Sequence, residues 1–313
     1  MILAEEQLAE GSFDEFYVYR SSQAGYVRLY EAKLLHLFGH RYATFAGVSQ
    51  ADAYNGNARE VSVEERFDPT FVVKPRYWIP TGLFRKIIER YEDQKGYLLA
   101  YREITNTTNE RTCISTIISE TAVTRNTVSC LRVRVGTYRA LLQANLSALC
   151  FDYTVRQKVA GTHLSYSIMK QLPFLSPSLY QAPARWSHTE TYQDWIIPRV
   201  LELTYTAKDL QPFAADCCYN APPFRWDEKR RFLLRCELDA AYFHLYGITC
   251  DDVDYIMETF PIVKRKDISQ YGDFRTTYDP RHLRSDAAGD RHRRAISDPL
   301  GPATRRSTRG PSA

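Results

Sequence analysis

Hydrophobic and polar positions along this chain fall into two periods. Residues 97–104, 112–119 and 128–135 are rich in β-branched side chains and partly alternate, which predicts three strands. Polar turns such as Thr105-Asn106-Thr107-Thr108-Asn109 separate them. Residues 138–157 lose the two-residue period and place Leu141, Leu142, Leu146 and Leu149 on one side, predicting a helix that stops at Gly161. Further helices are predicted over 189–206 and 227–246. The second places Phe232, Cys236, Ala240 and Phe243 on one face and Gly247 just past its end. Another begins at Thr249-Cys250-Asp251-Asp252, with its acids at the positive end of the helix dipole.

Earlier in the chain the pattern is weaker. Residues 47–69, around Asn55-Gly56-Asn57, read as a surface loop. Pro75 and Pro80 bracket an extended aromatic piece, Arg76-Tyr77-Trp78-Ile79. The prolines at 173, 177 and 183 predict a linker. Together these elements predict an α+β protein with a mixed sheet. The boundaries are an acidic lead-in at 1–25, a connecting region at 26–90, a sheet-containing domain at 91–176 and a helical region at 177–276. A tail at 277–313 is too polar to offset the entropy of ordering.

Composition narrows the classes. The chain has 313 residues, 44% hydrophobic and 25% charged, as in globular proteins that bury a core. No apolar run is long enough to cross a membrane, and the N-terminus lacks the pattern of a signal peptide. Seven cysteines without a CxxC imply free thiols and a cytoplasmic location. The glycines are nowhere close enough to write GxG, GxGxxG or GxxxxGK. A phosphate-cradling or S-adenosylmethionine loop needs such spacing, so no cofactor is expected.

The tail holds eight Arg against four Asp, which accounts for the whole net charge of +4, and residues 1–276 are neutral. Within that neutral body, residues 121–170 hold seven bases (Arg125, Arg132, Arg134, Arg139, Arg156, Lys158 and Lys170) against one acid, Asp152. Arg and Lys read phosphates and guanine edges, so the cluster suits a nucleic acid. The bland alternative is a solvated basic face, or an internal pair such as Arg156 with Asp152 four residues before it.

Other constellations have structural readings beside the chemical ones. His36 and His40 have metal-ligand spacing, but no third ligand accompanies them. Glu31-Ala-Lys33 and Asp93-Gln-Lys95 match half of a metal-dependent nuclease signature, a pattern common in any charged chain. In Asn220-Ala-Pro-Pro-Phe224 the inserted Ala221 breaks the register of an amino-methyltransferase tetrapeptide, which leaves a turn before a helix.

Two longer stretches carry a family resemblance. One is Tyr101-Arg102-Glu103-Ile104-Thr105-Asn106-Thr107-Thr108-Asn109-Glu110-Arg111-Thr112. The other runs from Asn145 through Asp152, Arg156-Gln157-Lys158 and Gly161-Thr162-His163-Leu164 to Lys170-Gln171-Leu172-Pro173. With Tyr30-Glu31-Ala32-Lys33, Pro75-Arg76-Tyr77-Trp78 and Phe260-Pro261-Ile262-Val263-Lys264, they resemble the C-terminal region of type IIG-like adenine-specific DNA methyltransferases of restriction–modification and phage-defence systems.

The resemblance implies a target-recognition-like domain without the methyltransferase core. It therefore implies double-stranded DNA and a methyltransferase core chain as partners, no membrane, and no catalysis by this chain alone. The implied DNA-binding residues are Arg125, Arg132, Arg134, Arg156, Gln157, Lys158, Thr162 and His163. Alternatives from other classes are an interaction or scaffold subunit of a defence complex and a small metal-dependent nuclease using Glu31 and Lys33.

Overall fold

The structure is a computed structural model that describes residues 3–4, 11–13, 19–21, 25–90, 95–123, 127–187 and 189–272. Its first part is strand-rich. β1 (Leu3–Ala4), β2 (Gly11–Phe13), β3 (Tyr19–Ser21) and β4 (Gly25–Tyr30) join one sheet. After them come β5 (Ala43–Thr44), helix α1 (Gln50–Asn55), β6 (Arg59–Glu60) and α2 (Val63–Phe67). The stretch 47–69 is thus built rather than a plain loop. Its two short helices start at Ser49 and Ser62, whose hydroxyls accept the amides of Asp52 and Glu65. β7 (Tyr77–Pro80) is the aromatic piece between the prolines, and α3 (Thr81–Ile88) follows directly.

The first sheet runs β1-β7-β4-β3-β2, so part of the expected acidic lead-in is paired backbone. β1 and β2 are its edge strands, positions where charged residues are tolerated.

The three strands expected in the middle of the chain are present but shorter: β8 (Tyr97–Arg102), β9 (Ser115–Ser119) and, after β10 (Ala122–Val123), β11 (Val128–Leu131). They form an antiparallel sheet in the order β11-β8-β9, with Leu99 opposite both Ile117 and Leu131. β10 leaves this sheet and lies parallel to β4, joining the two halves. The fold is α+β.

β8 explains why its sequence reads as a nearly unbroken apolar run. Tyr97, Leu99 and Tyr101 face the helical core, while Leu98 and Ala100 face a second core with Tyr30, Leu34, Leu35, Phe45 and Val73. A strand buried on both faces needs apolar residues at every position. Residues 26–90, expected as a connecting region, therefore supply much of the second core, and Val27, Ile79 and Phe84 form a small third cluster.

The helices are α4 (Gly136–Ser147), α5 (Leu149–Lys158), α6 (Tyr166–Met169), α7 (Tyr192–Thr204), α8 (Gln211–Asp216), α9 (Glu228–Leu245), α10 (Cys250–Glu258) and α11 (Pro261–Tyr271). The single helix expected over 138–157 is broken at Ala148, whose backbone is extended. The cause lies far away in sequence. The carboxylate of Asp239 on α9 accepts the Leu149 amide at 2.7 Å and so caps a new helix there. On α9, Cys236, Ala240 and Phe243 are buried as expected and Phe232 is half-buried. Leu234, Leu238, Ala241 and Tyr242 are buried too, so α9 is enclosed over most of its girth.

The Pro-rich stretch does not separate two cores. Tyr180 and Ala184 belong to the same buried cluster as Leu99, Leu149, Ile196 and Val263. The tail at 277–313 lies outside the described residues.

Candidate nucleic-acid interface

The last turn of α5 and the loop after it form a preorganised surface. Gln157 and Lys158 end the helix on its exposed side, and Thr162 and His163 follow, also exposed. The loop is fastened to the end of β8. The Thr105 amide donates to the Thr162 carbonyl at 2.9 Å, the Leu164 amide donates to the Glu103 carbonyl at 2.8 Å, and His163 bridges Ile104. Leu164 and Met169 are buried beneath it. The backbone of Thr162 and His163 is therefore held while both side chains face solvent. A recognition loop fixed in this way loses little further conformational freedom on binding.

Arg156 is the correction. It was expected on the same exposed surface, but its side chain is only 9% exposed. Nε donates to Asp152 at 3.3 Å, Nη1 to the Thr259 carbonyl at 3.1 Å, and Nη2 to the carbonyls of Asn109 (2.8 Å) and Glu110 (3.0 Å). The guanidinium also lies 4.0 Å from the Phe260 ring centroid. Arg156 thus ties α5 to the 109–110 turn and to the α10–α11 junction, and it has no free fork for DNA.

Asp152 is fully buried and accepts the amides of Thr112 (3.0 Å) and Cys113 (2.5 Å). Burial pushes its carboxyl above the ordinary range, opposed by Arg111, the two amides and Arg156. Burial likewise draws the Arg156 guanidinium down, opposed by Asp152.

The remaining bases separate into groups. Arg139 is buried and donates to the carbonyls of Tyr97 (2.8 Å) and Val133 (3.0 Å), so it is structural. Arg132, half-buried near Glu120, and exposed Arg134 follow β11 at the far end of the sheet. Leu131 pairs with Leu99 on β8 and His163 with Ile104, two residues past the end of β8 and five beyond Leu99, so the two ends are about 17 Å apart. Arg125 lies outside the described residues. The expected single patch is therefore two smaller ones.

Lys170, one of the seven bases of the stretch, joins the first patch, with its ammonium 4.5 Å from the ring centroid of Tyr166, an exposed residue that the sequence did not mark. A basic residue one helical turn after an exposed aromatic was the available signal.

Between Glu120 and Glu190 the chain contains a single acid, and that acid is the buried Asp152. This 69-residue stretch therefore presents bases to solvent and no carboxylate of its own. Two acids near the loop from other segments are engaged: Glu103 accepts the Ser129 hydroxyl, and Glu110 pairs with Lys266.

Of the other candidate chemistries, Asp93 lies outside the described residues, and the ones that follow are spent on the fold. Glu31 pairs with Arg76, and Lys33 donates to the Gly56 carbonyl, so both fasten the turn after α1. His36 stacks on Tyr42 with ring centroids 4.6 Å apart, whereas His40 Nε2 lies 3.0 Å from Asp209 Oδ1. The two imidazoles have different partners. Among the described residues no group of three or more His, Cys, Asp or Glu side chains is placed to hold a metal ion.

Comparison with protein-family models, with curated proteins and with solved structures finds no match for this chain. No helix among the described residues is long and apolar enough to cross a membrane.

Proposed function

We propose that the chain is the DNA sequence-recognition part of an adenine-N6-specific restriction–modification or phage-defence methyltransferase, working with a methyltransferase core chain in the cytoplasm. One observation carries the reading: the exposed Gln157, Lys158, Thr162 and His163 stand on a clamped loop within a stretch whose only carboxylate is buried. Lys158 and Lys170 supply phosphate contacts. Gln157, Thr162 and His163 offer the short polar groups that read base edges. Arg132 and Arg134, at the other end of the sheet, extend the footprint along the duplex, and Arg156 holds α5, which carries Gln157 and Lys158, from inside. Without a glycine-rich cofactor loop, methyl transfer falls to the partner chain.

The test is duplex binding by fluorescence anisotropy as a function of salt. Lys158→Ala weakens binding evenly across sequences and lowers the salt slope by about one. His163→Ala instead relaxes preference at one position, at a cost of ~1–3 kcal/mol. Duplex affinity that is absent at low salt, or unchanged when Lys158, Lys170 and His163 are all replaced, ends the proposal.

A further inference from the structure

A cavity of about 390 Å3 opens where β11 gives way to α4, at the end of the sheet away from the His163 loop. Its wall is hydrocarbon from Val133, Leu142, Leu175 and Pro177 together with the rings of Tyr138 and Tyr180. The volume lies within the ~300–1,000 Å3 range of small-molecule sites.

The polar atoms of that wall are turned inward. Asn145 Nδ2 donates to the Tyr246 hydroxyl at 2.7 Å, and its Oδ1 accepts the Leu175 amide at 3.4 Å. The Tyr180 and Tyr242 hydroxyls lie 3.3 Å apart, and Tyr246 donates in turn to the Pro173 carbonyl at 2.7 Å. These bonds join α4, α9 and the 173–180 segment, so the cavity is preformed. They also leave few partners for water inside, which needs ~2–4 each.

We propose that this cavity binds a small molecule built on linked or fused aromatic rings and carrying one acidic group. The rings match the apolar wall and the two tyrosines. A ligand with hydrogen-bonding edges would lose its water without replacement. The acidic group suits Arg134, the one charged side chain among the described residues that line the cavity. The inference uses the cavity and not the clamped loop, and it shares only Arg134 with the DNA reading.

Two probes test it on the full chain: 8-anilino-1-naphthalenesulfonate, and N-phenyl-1-naphthylamine, which lacks the sulfonate. Both are expected to bind saturably, one per chain, with Kd on the order of 10–100 µM, and to compete. Leu142→Trp fills the cavity and weakens both probes roughly tenfold or more, with the far-UV circular dichroism and duplex binding retained. Arg134→Glu, on the surface, weakens the sulfonate probe about fivefold and leaves the neutral probe unchanged. Non-saturable binding overturns the site, as does full affinity in Leu142→Trp. If that variant does not fold, Arg134→Glu decides: equal affinity of the sulfonate probe for the parent and the variant overturns the proposal.

Discussion

Replacing Arg156 by alanine removes a side chain that bonds three carbonyls and one carboxylate in three different segments. It also leaves the fully buried Asp152 with two backbone donors but without its guanidinium, and uncovers a face of Phe260. Truncating one partner of a buried ion pair costs ~3–5 kcal/mol. The Asn109 carbonyl is exposed and can turn to water, which places Arg156→Ala near the low end, ~3 kcal/mol. For a chain of this size that lowers the melting midpoint by roughly 5 °C.

Urea unfolding followed by far-UV circular dichroism measures the loss directly. Adding Asp152→Asn in a double-mutant cycle should give a coupling of ~1–3 kcal/mol. Duplex affinity, read well below the midpoint, should fall less than for Lys158→Ala, because Arg156 acts by holding α5 in place. Unfolding within ~0.5 kcal/mol of the parent, combined with a large loss of duplex affinity, would refute this reasoning and return Arg156 to the DNA surface.

Gly136→Ala should destabilise strongly, because a Cβ there meets the Asp216 carboxylate at 2.2 Å and the Tyr97 hydroxyl at 2.8 Å; an unchanged unfolding midpoint would contradict that packing. Phe243→Ala empties a fully packed site and should cost ~3–5 kcal/mol in the same urea assay, whereas a near-neutral result would mean that α9 is less enclosed than described. Burial, aided by Arg102, draws the His36 imidazole from 6.5 down to about 4. The unfolded chain therefore takes the proton first, so stability is lost as pH falls through this window and the loss is complete below it, up to ~3 kcal/mol. His36→Phe keeps the stack on Tyr42 and should show a shallower decline between pH 6.5 and 4, and parallel curves would count against the assignment.

Much of the fold was legible because its causes are local. The apolar, aromatic-flanked run at 97–102 forms a strand, and Asp227, Thr249 and Gly247 mark helix ends through hydrogen bonds or backbone freedom within a few residues. The gap in acidic residues and the absence of a glycine-rich loop are likewise properties of the sequence alone.

Burial of each base was only partly legible, since the spacing of Asp152 and Arg156 offered an internal pair as an alternative but nothing local selected it. Arg139, Arg156 and Lys158 look alike in one basic stretch, yet two are internal and one is exposed. What separates them is distant in sequence: the Tyr97 carbonyl for Arg139, and the Thr259 carbonyl and Phe260 ring for Arg156. The break at Ala148 has the same origin, since Asp239 on α9 supplies the cap. A side chain's charge is written in the sequence, but whether that charge meets water or a buried acceptor depends on groups that only the folded chain brings within hydrogen-bonding distance.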